Sequence, residues 1–208
     1  MLIALSSCKV TSLHPEPVAP PGLLAWEDLP ARIKASTGRV QLERIAIADW
    51  SVDRSGLIDL DHPAAVAAGL ADGPEAIQIV LFSVIHPQAG RYFIDTGISR
   101  VFQGSPDTWP VNSVIRGAMN MEALRIHSVT ADVLKQGSAA GVFVTHLHLD
   151  HILGSSDIPS DVPFYVGPNE AGHRHWQNLV VQGSTDELLG QGRLLRELDF
   201  NTDGPAVS

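Results

Sequence analysis

Three histidines and an aspartate fall within six residues of this chain, His146, His148, Asp150 and His151, in the stretch Thr145-His-Leu-His-Leu-Asp-His. Imidazole and carboxylate are side chains that hold zinc at about 2.0–2.2 Å, and manganese or iron accept the same donors. The preceding run, Gly141 to Thr145, reads as a short buried strand. On a strand, residues two apart share a face, so His146 and His148 offer two imidazoles to one ion. Asp150 and His151 follow Leu149, where the chain can turn and address a second ion. Such a pair of ions favours hydrolysis, because a metal lowers the pKa of bound water to about 7 while its neighbour stabilises an oxyanion or leaving group. One histidine at a strand end is ordinarily a surface residue; this crowding of four donors is the stronger signal.

Other elements must position that cluster. The run Ala76–Gly97 predicts a hairpin, two β-rich segments about the turn His86-Pro-Gln-Ala-Gly, with His86 on the surface. Its second strand ends in Asp95-Thr96-Gly97. Apolar spacing over residues 112–137 predicts a helix closed by Gly137, with His127 either packed or facing solvent. A strand is expected at Phe164–Gly167 and a helix from Asn169 onward carrying His173 and His175, both read as structural. A last helical stretch opens with Ser184 and Glu187 in capping-box spacing. Alternating strands and helices indicate an α/β layered fold. Residues 23–74 carry no motif; they contain an amphipathic stretch at 26–36 and a charged, loop-like stretch at 49–63.

The 208 residues are 44% hydrophobic and 18% charged, with mean hydropathy +0.09, which suits one globular domain plus a tail. A net charge of −9 and no basic cluster argue against nucleic acid as a partner; the small-molecule substrate is expected from the hydrolytic chemistry of the histidine cluster. The single cysteine, Cys8, rules out an internal disulfide. Its context, Leu5-Ser6-Ser7-Cys8, resembles a lipoprotein signal box, although the apolar run before it is shorter than a signal peptide's. The proline-rich stretch His14–Gly22 would serve as a tether. The expectation is a lipid anchor at Cys8 and a bacterial cell-envelope or periplasmic location; without the anchor the location is cytoplasmic.

The segment from Gly141 through His151, with the upstream Tyr92-Phe-Ile-Asp-Thr-Gly97, resembles the H-x-H-x-D-H signature of the metallo-β-lactamase superfamily. The resemblance implies an αββα sandwich, with His146 and His148 on the first metal and Asp150 and His151 on the second. Asp150 is then also catalytic, and Asp95 and Thr145 are supporting residues. It implies two ions, zinc above all, and a metal-bound hydroxide that attacks an ester, thioester or lactone. Histidine directly after the aspartate is similar to thioesterases, lactonases and phosphodiesterases of that superfamily rather than to its best-known lactamases. The resemblance begins near Ile77. It divides the chain into 1–22, a signal remnant and tether; 23–74, an N-terminal extension; and 75–208, the N-terminal half of the sandwich. The second half would supply the remaining ligands, so the 208-residue chain alone is expected to have little activity and to self-associate through its uncovered sheet. The alternative is a non-catalytic binding module with a vestigial metal site.

Overall fold

The computed structural model describes residues 9–18 and 38–199. Cys8 and the stretch 26–36 lie outside them. Among the described residues, eight strands form one mixed sheet: β1 (Glu16–Val18), β2 (Gln41–Asp53), β3 (Pro74–His86), β4 (Gly90–Ile94), β5 (Arg125–Ile126), β6 (Gly141–Phe143), β7 (Phe164–Val166) and β8 (Leu195–Leu198). Their spatial order is β1-β8-β7-β6-β4-β3-β2-β5. The β2–β3–β4 run and β5 are antiparallel, whereas β4, β6, β7, β8 and β1 are parallel neighbours. Among the described residues, five α-helices accompany the strands: α1 (Pro63–Ala67), α2 (Ser113–Ala118), α3 (Thr130–Leu134), α4 (Leu149–Ile152) and α5 (Asn178–Leu189). The fold is therefore α/β, one sheet with a helical layer.

Strand alternation decides which face is buried. Phe93, Val142, Phe164 and Leu195 lie side by side in register and are at most 2% exposed. They join Ile115 of α2, Ile152 of α4 and Leu188 of α5 in one core. Each such side chain contributes about 1.5–3 kcal/mol by leaving water. Their neighbours in sequence point the other way, where Tyr92, Phe143 and Tyr165 form an aromatic row with ring centroids 5.7 and 5.0 Å apart.

The expected hairpin forms, with β3 and β4 paired from Phe82–Ile94 to His86–Gly90. The sheet also runs on across residue 75, because β2 pairs with β3 from Gln41–Ile85 to Asp53–Pro74, broken by one bulge at Ile47. The charged segment beginning at Asp49 thus continues a strand instead of opening a loop.

Three helical expectations are corrected. Residues 112–137 are two short helices separated by a 3-10 turn and β5. The break follows from Asn120, which sits in the left-handed region at φ 50° and exchanges hydrogen bonds with β2: Trp50 Nε1 donates to its carbonyl and its own amide donates to Ser51 O. His127, at the end of β5, pairs with Asp49 Oδ2 at 2.9 Å. Residues 169–177 form turns, and α5 begins only at Asn178, so His173 and His175 stand on an exposed loop. Ser184 is a buried residue within α5 rather than a cap; its hydroxyl accepts from the Asn112 backbone and tethers α5 to α2.

Candidate functional site

The parallel strands β4, β6 and β7 all end on one edge of the sheet, the edge at which α/β proteins gather functional loops. The Asp-Thr-Gly turn leaves β4 there. Asp95 lies at φ 59° and Gly97 at φ 67°; aspartate tolerates the left-handed region better than most residues, and glycine does so without strain. The turn is lashed to the cluster by backbone. Asp95 N donates to Phe143 O, Thr96 N and Oγ1 both donate to His151 O, and Ser99 N donates to Leu153 O. Gly154 approaches so closely that a β-carbon there would stand 1.9 Å from Thr96 O.

The cluster alternates in burial as the strand gives way to α4. Val144, Leu147 and Leu149 are at most 4% exposed in the core, and the polar residues between them face outward. The rings of His146 and His148 lie 4.4 Å apart by centroid, and those of His146 and His151 lie 4.0 Å apart. Asp95 organises the group. Its Oδ1 accepts from Thr145 N at 2.8 Å and from Thr145 Oγ1 at 2.9 Å, and its Oδ2 faces His151 Nδ1 at 2.8 Å. The other ring nitrogen, His151 Nε2, lies 3.3 Å from Asp150 Oδ2. All six residues singled out in the sequence around this motif, His146, His148, Asp150, His151, Asp95 and Thr145, are thus in one place. No hydrogen bond or ring contact among the described residues joins His173 or His175 to them.

Electrostatics follow from that packing. Burial lowers the His146 pKa, and the neighbouring His151 and His148 lower it further, so its imidazole stays neutral. Burial also works against charge on His151, yet hydrogen bonds to Asp150 and Asp95 outweigh it and push the pKa up to about 10. Asp150 pays a desolvation cost too, but its contact with His151 holds its pKa below the usual carboxylate value.

Two further carboxylates were invisible as site components in the sequence. Glu170 Oε1 accepts from Leu147 N at 2.7 Å and so fixes the backbone between His146 and His148. The only signal was its place just beyond the strand Phe164–Val166, on the same sheet edge. Asp157 accepts from Ser99 Oγ, Arg100 N and Ala131 N, tying the Asp-Thr-Gly loop to the segment after α4.

The donor set suits a zinc-class cation, with one imidazole held neutral and a carboxylate held ionised beside it. His151 has its Nδ1 held by Asp95 Oδ2 and its Nε2 turned toward Asp150 Oδ2. Among the described residues, no three such groups close around a common point. The 3.3 Å between His151 Nε2 and Asp150 Oδ2 is about the separation of two donors on one tetrahedral ion.

No family model matches the chain. No curated protein matches it either. Among solved structures, it is similar to a quorum-quenching N-acyl homoserine lactone lactonase at 16% identity and a TM-score of 0.49, covering 76% of this chain and 56% of that one. A quorum-quenching N-acyl homoserine lactone hydrolase is similar at 17% identity and 0.47, over 76% and 57%. AidC, a dizinc quorum-quenching lactonase in complex with a product, is similar at 14% and 0.47, over 80% and 60%. The chain spans little more than half the length of these structures, and likeness at this level assigns it neither a family nor an activity.

Proposed function

We propose that this chain carries part of the site of a metal-dependent hydrolase acting on an ester, thioester or lactone. The observation that supports the reading is the convergence of His146, His148, Asp150 and His151 at one strand edge, with ring centroids 4.0 and 4.4 Å apart. His146 and His148 would hold one cation, Asp150 and His151 a second, and zinc suits these donors best. Bound there, such ions would lower the pKa of a coordinated water and polarise a substrate carbonyl. Asp95 fixes the tautomer of His151 by holding Nδ1, and Thr145, bonded to both Asp95 oxygens, holds Asp95 in turn. Glu170 keeps the two imidazoles of the first pair in register. Lipid attachment at Cys8, with an envelope location, belongs to the same proposal.

Calorimetric zinc titration of the dialysed protein tests it. The expected result is binding that is weakened at least about tenfold in a His146→Ala/His148→Ala double variant. Equal zinc affinity in both proteins would overturn the reading. A second reading, a non-catalytic relative that keeps the fold, is favoured by one observation: among the described residues no three of these donors close around a common point. Zinc binding by the parent no tighter than that of the double variant would select it.

A further inference from the structure

The sheet has two faces, and only one of them enters the core. Phe93, Val142, Phe164 and Leu195 pack under the helices, whereas Phe82, Ile94, Phe143 and Tyr165 on the other face stand outside that cluster. These four lie side by side in register across β3, β4, β6 and β7, so they are contiguous. Val84 and Tyr92 form a second pair beside them. The rings of Tyr92 and Tyr165 close over Gly141, where a β-carbon would stand 3.0 Å from the first and 2.9 Å from the second. Charge enters the row only at its flanks, at Arg44 on β2 and at Arg196 beside Glu16. Phe143, near the middle, is 36% exposed. An apolar face four strands wide and outside the core marks a surface with a partner.

The path of the chain says which partner. Strand β2 is antiparallel to β3 and β3 to β4, so β2 points the same way as β4, β6, β7, β8 and β1. Yet β1 and β2 stand six places apart in the sheet, about 29 Å at the usual strand spacing. The link between them leaves Val18 at the histidine edge and returns at Gly38, which packs against Pro87 in the β3–β4 turn at the opposite end. Residues 19–37 have ample length for that diagonal, because an extended chain of this size reaches roughly 60 Å.

Handedness selects the face. The connections β4 to β6, β6 to β7 and β7 to β8 all step toward β1, and α2, α4 and α5 within them lie on the core face. Crossovers between parallel strands are right-handed in about 98% of cases. A connection of the same hand that steps back, from β1 to β2, therefore crosses the other face, over the aromatic row. The sequence of the link supplies Leu23, Leu24, Trp26, Leu29 and Ile33 to meet it. Tethered at both ends, the link faces the row at an effective concentration on the order of millimolar, ahead of any second copy.

We propose that residues 19–37 dock across the Phe82, Ile94, Phe143 and Tyr165 row of their own chain. The docking holds whether or not the histidine cluster takes a metal.

The test places a photo-crosslinker, benzoylphenylalanine, at position 143 of the full chain in place of Phe143 and maps the crosslinked peptides by mass spectrometry. The expected product has the mass of one chain, forms equally at all protein concentrations, and joins position 143 to a peptide within 19–37. A second measurement uses anilinonaphthalene sulfonate, a dye that lights up on exposed apolar surface. Trp26→Ser/Leu29→Ser should raise its fluorescence at least about threefold over the parent, with the cooperative melt retained. A crosslink at the mass of two chains would assign the face to a second copy and overturn the proposal. So would a crosslink to any segment other than 19–37, no crosslink at all, or equal dye fluorescence in parent and variant.

Discussion

The β2–β3 hairpin and the strand-edge site are held together in opposite ways. Along the hairpin, residue after residue pairs from Gln41–Ile85 to Asp53–Pro74, and the ladder itself fixes the geometry while outward side chains such as Leu42 touch little. At the site the strands β6 and β7 are three residues each. Position there is set by a few polar side chains: Asp95, Thr96 and Asp157 each satisfy several partners, and Glu170 holds Leu147 N. A ladder spreads its stability over many equivalent bonds, whereas a network concentrates it in a few groups whose loss strands buried partners. Substitutions in the two regions should therefore differ in cost, and four measurements break or sharpen that contrast.

The largest effect is expected at Gly154. An alanine there would drive its β-carbon into Thr96 O, so Gly154→Ala should cost about 3 kcal/mol or more in denaturant unfolding and loosen the Asp-Thr-Gly loop from the cluster. Next comes Arg193, 8% exposed, whose guanidinium donates to the carbonyls of Leu189, Pro159, Ser155 and Ile158 and lies 4.4 Å from the Phe164 ring. Arg193→Met should cost about 2–4 kcal/mol by leaving those carbonyls unmatched, measured as a shift in the urea midpoint.

Asp95→Asn tests the charge component of the network in protein treated with a chelator. His151 titrates at about 10 in the fold against an ordinary 6.5. Its pairing therefore stabilises the fold fully below pH 6.5, and that contribution disappears as pH rises through about 10. Thermal unfolding of the parent should show this loss between those values, and Asp95→Asn should flatten it. The smallest effect belongs to the ladder. Leu42 is 67% exposed on β2, and Leu42→Ser should change stability by less than about 0.5 kcal/mol; a cost as large as that of Arg193→Met would erase the contrast.

What could be read in the sequence follows the same division. The β3–β4 hairpin was legible because its alternation and its Pro/Gly turn are local signals. The cluster was legible because donor residues crowd into one strand end. Strand β2 was not, because Glu43 and Arg44 break its apolar alternation and the charged stretch from Asp49 reads in isolation as a loop; only pairing with β3 makes Gln41–Asp53 a strand. Asn120 breaks the expected 112–137 helix through bonds to Trp50 and Ser51, seventy residues away in the chain. The start of α5 was misplaced because Ser184 and Glu187 have cap spacing, while the Ser184 hydroxyl is engaged with Asn112 instead. In each case the missing information was a long-range partner, and the same holds for Glu170 and Leu147.

Strand β1 has a temporal consequence. It pairs in parallel with β8, and Thr11 just before it bonds Asp186, 175 positions later. At synthesis rates of about 5–20 residues per second, the segment carrying β1 leaves the ribosome roughly 10–35 s before its partner exists. It has to wait without joining the sheet. By the time β8 is made, the strand that will cover its open edge is already present on the same chain, at high local concentration. The edge that β8 and β1 come to cover is therefore open at β7 in the interval before β8 emerges.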